Sequence, residues 1–129
     1  MIILDTHAWV WWLTKRRLVG KRASRAIEKA DRIGVPAICV WEVAMKERSG
    51  KLKFDRPLEA WLEQALAEDA RLGLIPLSPR IALAAVDLKW EHRDPADRLI
   101  VATALVHQCP LATAYEPITN ASLVRCVWD

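Results

Sequence analysis

Three acidic residues, Asp5, Glu42 and Asp97, occupy positions from which carboxylates can do chemistry. Asp5 ends the apolar run Ile2 to Leu4 and precedes Thr6, whose hydroxyl can orient a carboxylate or a water. Its other available role is to cap the helix that begins behind it. Glu42 sits inside the apolar segment Pro-Ala-Ile-Cys-Val-Trp-Glu-Val-Ala-Met. An ionised carboxylate is costly there unless a cation pairs with it. Lys46, four residues on, is one candidate for that cation, and a bound metal ion is the other. Asp97 stands three residues after Asp94, at the third position of a helix opened by Asp94-Pro95, where capping and the helix dipole alone also favour an acid. Asp94 reads as the cap of that helix.

Three carboxylates brought to one place repel one another and do not all ionise without a cation. An oxygen-only donor set selects Mg²⁺ or Mn²⁺. Such an ion polarises a phosphodiester and acidifies water, so the chemistry pointed to is phosphodiester hydrolysis. Other chemistries find less support. His7, His92 and His107 are scattered without metal-ligand spacing; His7 reads as structural, with an orienting role beside Asp5 as the alternative. No nucleophile elbow, phosphate-binding loop or dinucleotide turn exists, since the four glycines are isolated. Phosphotransfer through Asp5 would want a second acid two residues on, and that residue is His7.

The elements that must position these acids alternate between short apolar runs and helical stripes. Strands are expected at Ile2 to Leu4, Val35 to Ile38, Leu74 to Leu77, Leu111 to Thr113 and Leu123 to Trp128. A helix is expected from Thr6 to Leu13. Another should be capped by Ser24, with Ala26, Ile27, Ala30 and Ile33 on one face, and ended by Gly34. Cys39 to Arg48 reads as a helix stopped by Ser49-Gly50. Leu58, Trp61, Leu62, Ala65 and Leu66 mark the next, and Ile81, Ala84, Ala85 and Leu88 the one after. The helix after Asp94-Pro95 is apolar nearly all round and should be central. This alternation implies an α/β fold with a mainly parallel central sheet flanked by helices, as one domain over residues 1–129. Ligands of such sheets bind beyond the carboxyl ends of the strands, where Asp5 falls.

Composition sets the limits. At 129 residues, 53% hydrophobic and 27% charged, the chain can bury a core and is not disordered. Cys39, Cys109 and Cys126 have neither a close pair nor zinc spacing, so they read as reduced thiols of a cytoplasmic protein. The N-terminus lacks a signal-peptide pattern, and the longest apolar run, Leu99 to Val106, is too short to span a bilayer. Residues 1–53 carry 12 Lys/Arg against 5 Asp/Glu, and residues 54–129 carry 7 against 11. A basic half suits a polyanion, although charge by itself fits solvated helix faces better. Trp9, Trp11 and Trp12 are assigned to core or partner packing in preference to base stacking.

Several pieces, in order along essentially the whole chain, resemble PIN-domain proteins, specifically VapC-type toxin ribonucleases. They are Leu4-Asp5-Thr6-His7, Trp41-Glu42-Val43-Ala44 with Lys46, Gly50-Lys51-Leu52, His92-Arg93-Asp94-Pro95-Ala96-Asp97-Arg98-Leu99 and Leu111-Ala112-Thr113. The resemblance implies a parallel sheet flanked by helices, Mg²⁺ or Mn²⁺, RNA cleavage, a homodimer, and a cognate antitoxin that blocks the site. Asp5, Glu42 and Asp97 fall on the family's acidic positions, and Thr6 and Thr113 on its hydroxyl positions. The family's fourth acid, two residues after that threonine, is here Tyr115, with Glu116 offset by one. A neutral phenol at that point implies weakened metal binding and reduced nuclease activity. The alternative function is a catalytically weak interaction module on the same fold, which mainly binds its antitoxin.

Overall fold

The computed structural model describes residues 1–129. Five strands form one sheet: β1 (Ile2–Leu4), β2 (Ile33–Pro36), β3 (Leu72–Ile75), β4 (Leu111–Ala112) and β5 (Cys126–Val127). Every pairing is parallel, in the order β3-β2-β1-β4-β5. Seven α-helices connect and cover them: α1 (Thr6–Thr14), α2 (Lys21–Lys29), α3 (Ile38–Arg48), α4 (Leu58–Ala67), α5 (Pro79–Asp87), α6 (Pro95–Val106) and α7 (Glu116–Ala121). The expected α/β architecture is therefore present, with a wholly parallel sheet.

From β1 the chain steps outward to β2 and β3, then returns to the other side of β1 as β4 and β5. The direction of winding thus reverses between β1 and β4, which opens a crevice at their carboxyl ends. Ile3 pairs with Leu111 and Leu4 with Ala112, so Asp5 and Thr113 emerge side by side; the Asp5 N–H still donates to the Ala112 carbonyl at 3.2 Å. The core of 25 residues surrounds β1 and takes in Trp9 and Trp12 of α1, Trp61 of α4, and Ile100, Val101 and Ala104 of α6. That bears out α6 as the central helix and the packing role of the first tryptophans. Trp11 packs edge-on to His7 at 5.1 Å. No helix is long and apolar enough to cross a membrane.

Five local expectations need correction. The second strand runs Ile33–Pro36 and not Val35 to Ile38, since Ile38 already opens α3. The second helix starts at Lys21 with Gly20 at its cap, and Ser24 lies inside it. Its buried residues are Ala23 and Ile27; Ile33 belongs to β2 instead. Gly34 is a strand residue and not a helix stop. A Cβ there would lie 2.5 Å from Ile75 Cδ1 and 2.8 Å from Ile3 Cδ1, so the neighbouring strands' side chains occupy its empty space. The third strand lies two residues earlier than its apolar run indicated, because its bounds follow the register with β2, from Ile33 with Leu72 to Pro36 with Ile75. Finally, Glu116–Ala121 is helical, and the last strand is only Cys126–Val127. Pro117 in its first turn suits a helix start. Six residues with one buried apolar side chain, Ile118, show too little periodicity to read beforehand.

Gly20 is where the start of α2 meets the C-terminal segment. The Trp128 carbonyl accepts from the Ala23 N–H at 2.8 Å, and a Cβ on Gly20 would lie 2.1 Å from that same oxygen. Gly20→Ala should therefore displace the C-terminal segment and lower stability in urea by roughly 1–3 kcal/mol. Gly73→Ala, where a Cβ meets nothing within 4 Å, should leave the midpoint unchanged or raise it.

Candidate functional site

The crevice beyond β1 and β4 is a cavity of about 220 Å³. Asp5, Thr6, Glu42, Asp97 and Tyr115 all line it, with His7, Lys46, Asp94 and Ile100. Asp5 comes from the end of β1, Glu42 from α3 and Asp97 from the first turn of α6. Thus three acids far apart in sequence share one wall-to-wall space. Thr113 stands at the end of β4; it is buried and hydrogen-bonded to Asp5.

Asp5 fills both roles open to it. It is 3% exposed, and its Oδ1 accepts from the Ala8 N–H at 2.9 Å, capping α1. Its Oδ2 lies 3.3 Å from His7 Nδ1. His7 Nε2 accepts from the Ala114 N–H at 3.1 Å, so the imidazole proton belongs on Nδ1, facing Asp5. Burial, with Lys46 nearby, lowers the His7 pKa to about 4, which keeps the ring neutral and in that tautomer. His7 thus orients Asp5, the second of the two readings open at its sequence position.

Glu42 accepts from the Thr6 hydroxyl. Its close partner is therefore that hydroxyl and not the Lys46 ammonium, which lines the cavity and acts on Glu42 without a close ion pair. Asp94 caps α6 through the Ala96 N–H at 2.8 Å and also lines the cavity. Asp97 Oδ2 lies 2.7 Å from His92 Nε2. His92 was passed over as a scattered histidine; its signal in the sequence is only a place five residues upstream of Asp97, across a proline-opened helix start. Tyr115 is on the cavity wall, where the fourth acid was expected. Glu116 begins α7, is exposed and does not line the cavity.

The electrostatics follow from this crowding. Burial, then the charges of Glu42 and Asp97, push the Asp5 pKa up to about 7 against the hydrogen bonds from Thr113 and Ala8. Burial also raises Glu42, opposed by Thr6 and Lys46, and raises Asp97, opposed by His92. The Tyr115 phenol rises further from neutrality, through desolvation and the charges of Asp97, Asp94 and Glu42. The cavity thus holds more carboxylate than it has cation to balance. No three of its acidic or imidazole groups converge into a closed metal cage. Mg²⁺ keeps several waters and needs only one or two carboxylates, so the donor set fits a hydrated ion. Of the basic residues in the first half of the chain, Lys46 lines this cavity and Lys51 lines the depression beside it. Most of the others lie on exposed surface, as expected of solvated faces.

Residues 2–116 match the PIN domain family. The chain is a PIN-domain protein. It is 38% identical over 113 residues to Ribonuclease VapC22 of Mycobacterium tuberculosis, a match that covers 87% of this chain and 85% of that one. Among solved structures, this PIN domain resembles VapBC2 from Rickettsia felis bound to a DNA fragment from its promoter, with a TM-score of 0.70, 20% identity and full coverage of both chains. VapBC-1 from nontypeable Haemophilus influenzae gives a TM-score of 0.69 and 18% identity, over 98% of this chain and 96% of that chain. At those identities the two structures speak for the fold.

The Asp5 carboxyl supplies a test of this crowding. Its pKa is about 7 in the fold against an ordinary value of 3.8, so the folded state holds the extra proton between those limits. The contribution of Asp5 to stability is whole below about pH 4 and is lost as the pH rises through 7. Asp5→Asn does not titrate and retains a side chain suited to capping. In EDTA, the variant should melt above the wild type at pH 8, with the difference shrinking as the pH falls towards 4. Parallel melting profiles in the two proteins would show that the Asp5 carboxyl is not under this strain.

Proposed function

We propose that this chain is the toxin ribonuclease of a toxin–antitoxin pair, cleaving RNA phosphodiester bonds with Mg²⁺ or Mn²⁺ held by Asp5, Glu42 and Asp97. The observation that carries the reading is the convergence of three acids, from three separate elements, in one cavity without a balancing ion pair. The ribonuclease relative supports the activity, and the toxin–antitoxin complexes among the solved structures support the setting. The relatives lend no support to the alternative of a catalytically weak interaction module.

A divalent ion bound here neutralises charge on a phosphate and acidifies water. The chain's own groups set the geometry around it. The Ala8 N–H and His7 fix the two oxygens of Asp5, and the Thr6 hydroxyl orients Glu42. Thr113 backs Asp5 from inside the fold, and the Lys46 ammonium is placed to meet a phosphate at the cavity wall. One nuclease domain spans residues 1–129, and its partners are RNA, a cognate antitoxin and a second copy of the chain. The exposed apolar side chains Trp41, Met45, Leu77, Leu83 and Val86 offer surface for such protein partners. The setting is the cytoplasm, where three free thiols stay reduced.

Asp5→Asn and Asp97→Asn should each lower cleavage of a structured RNA by roughly 100-fold or more while circular dichroism shows the fold retained. EDTA should do the same to the wild type, with recovery on adding Mn²⁺. Near wild-type cleavage by either variant would remove that acid from the metal site. Tyr115 is the weak point of the cavity, because a neutral phenol is a poor ligand for a hard cation. Tyr115→Asp should tighten Mn²⁺ binding in calorimetry and speed cleavage. If neither changes, position 115 does not serve the metal.

A further inference from the structure

The contact between His92 Nε2 and Asp97 Oδ2, at 2.7 Å, has the length of a charge-assisted hydrogen bond. No protein donor reaches Asp97 Oδ1. His92 lies in the connection between α5 and α6, where neither helix nor strand holds the backbone. Two features hold it instead. Its ring stacks on Trp90, with centroids 4.6 Å apart and planes 26° from parallel, while Tyr115 approaches edge-on at 6.1 Å. Its carbonyl accepts from Arg98 Nη1 at 3.0 Å.

Arg98 directs its N–H groups at five backbone carbonyls. Nε donates to Ala85 at 3.0 Å, Nη1 to Trp90 at 2.7 Å and His92, and Nη2 to Val86 at 3.2 Å and Leu88 at 2.9 Å. A guanidinium has five donors in a fixed fork, and here each finds an acceptor. It satisfies the carbonyls at the end of α5, where a cation is also favoured by the helix dipole. It ties the following connection to α6 in the same act. Asp97 is the residue before Arg98 and His92 is one of the groups Arg98 grips, so both partners of the 2.7 Å contact are set by one frame.

We propose that His92 is a positioning residue for Asp97: it donates from Nε2 to Oδ2, locks the carboxylate in one orientation, and leaves Oδ1 available to a cation, with Arg98 and Trp90 as the frame. The use of that orientation rests on the metal-nuclease reading above. The hydrogen bond itself does not.

The test compares wild type, His92→Leu and His92→Gln in the metal-free protein and on titration with MnCl₂. His92→Leu should fold but bind Mn²⁺ roughly 10- to 100-fold more weakly, the usual effect of removing a hydrogen-bond partner from a ligating group. His92→Gln, which keeps an N–H donor, should recover part of that loss. In the metal-free protein, the His92 Nε2–H resonance should move on Asp97→Asn. Equal Mn²⁺ affinity in wild type and His92→Leu would overturn the proposal and leave the metal site standing. A wild type that binds no Mn²⁺ would instead overturn the metal reading, and the positioning role with it. Should His92→Leu fail to fold, Trp90→Leu removes the stack and keeps the imidazole: weaker Mn²⁺ binding supports the proposal, and wild-type affinity overturns it.

Discussion

Asp5 carries its carboxyl into a place where water barely reaches it, at the end of a strand buried on both faces. A carboxylate in such surroundings must be hydrogen-bonded, protonated or paired with a cation. The fold supplies hydrogen bonds from Ala8 and Thr113 and a neutral imidazole from His7, and then sets two further acids against it. Burial and the two neighbouring acids outweigh those hydrogen bonds and push the pKa up to about 7. The remaining arrangement of the site answers that one constraint. Each acid is tied to a hydroxyl or an imidazole, and none is neutralised by a close Lys or Arg ion pair.

Such an arrangement costs folding stability, because like charges are held together in a partly dry cavity. Proteins retain strain of this kind at functional sites. The compensation lies in what surrounds the cavity. β1 is buried along its length, α6 packs nearly its whole circumference, and the α5–α6 connection is gathered by Arg98 into one hydrogen-bonded unit. The acids are therefore mounted on the rigid parts of the molecule. Placement of that kind suits the metal role proposed for them, since small errors in ligand placement forfeit affinity.

Helix α3 shows how closely the site adjoins the outer surface. Glu42 lines the acidic cavity, while its neighbour Trp41 is 54% exposed and Met45 is exposed a turn later. Lys46 and Lys51 border the depression between them. A partner seated on this apolar and basic surface would meet the cavity edge directly, because the same helix lines both.

The sequence by itself determined the alternation of strand and helix, the parallel sheet, the buried character of α6, and the three acids with their two threonines. While Thr113 came from the family resemblance alone, most of those features are local: they rest on apolar periodicity, on the Asp94-Pro95 start signal, and on acids set at the end of, inside or at the start of apolar elements. The family resemblance marked position 115 for the same reason, since it is a spacing counted from Thr113. Tertiary structure alone decided the partners. Glu42 turned to the Thr6 hydroxyl and not to Lys46, because a helical i+4 spacing permits an ion pair while the packing of α1 on α3 determines which group arrives. His92 acquired its meaning only when the connection folded back onto α6, and Gly34 only when Ile3 and Ile75 filled the space over it. α7 left too little periodicity to be seen. The Thr6–Glu42 and Gly34 contacts join residues that no short window of sequence contains, and the His92–Asp97 contact, though only five residues long, needs the path of the connection that Arg98 fixes, so their energies appear only once the chain is closed on itself.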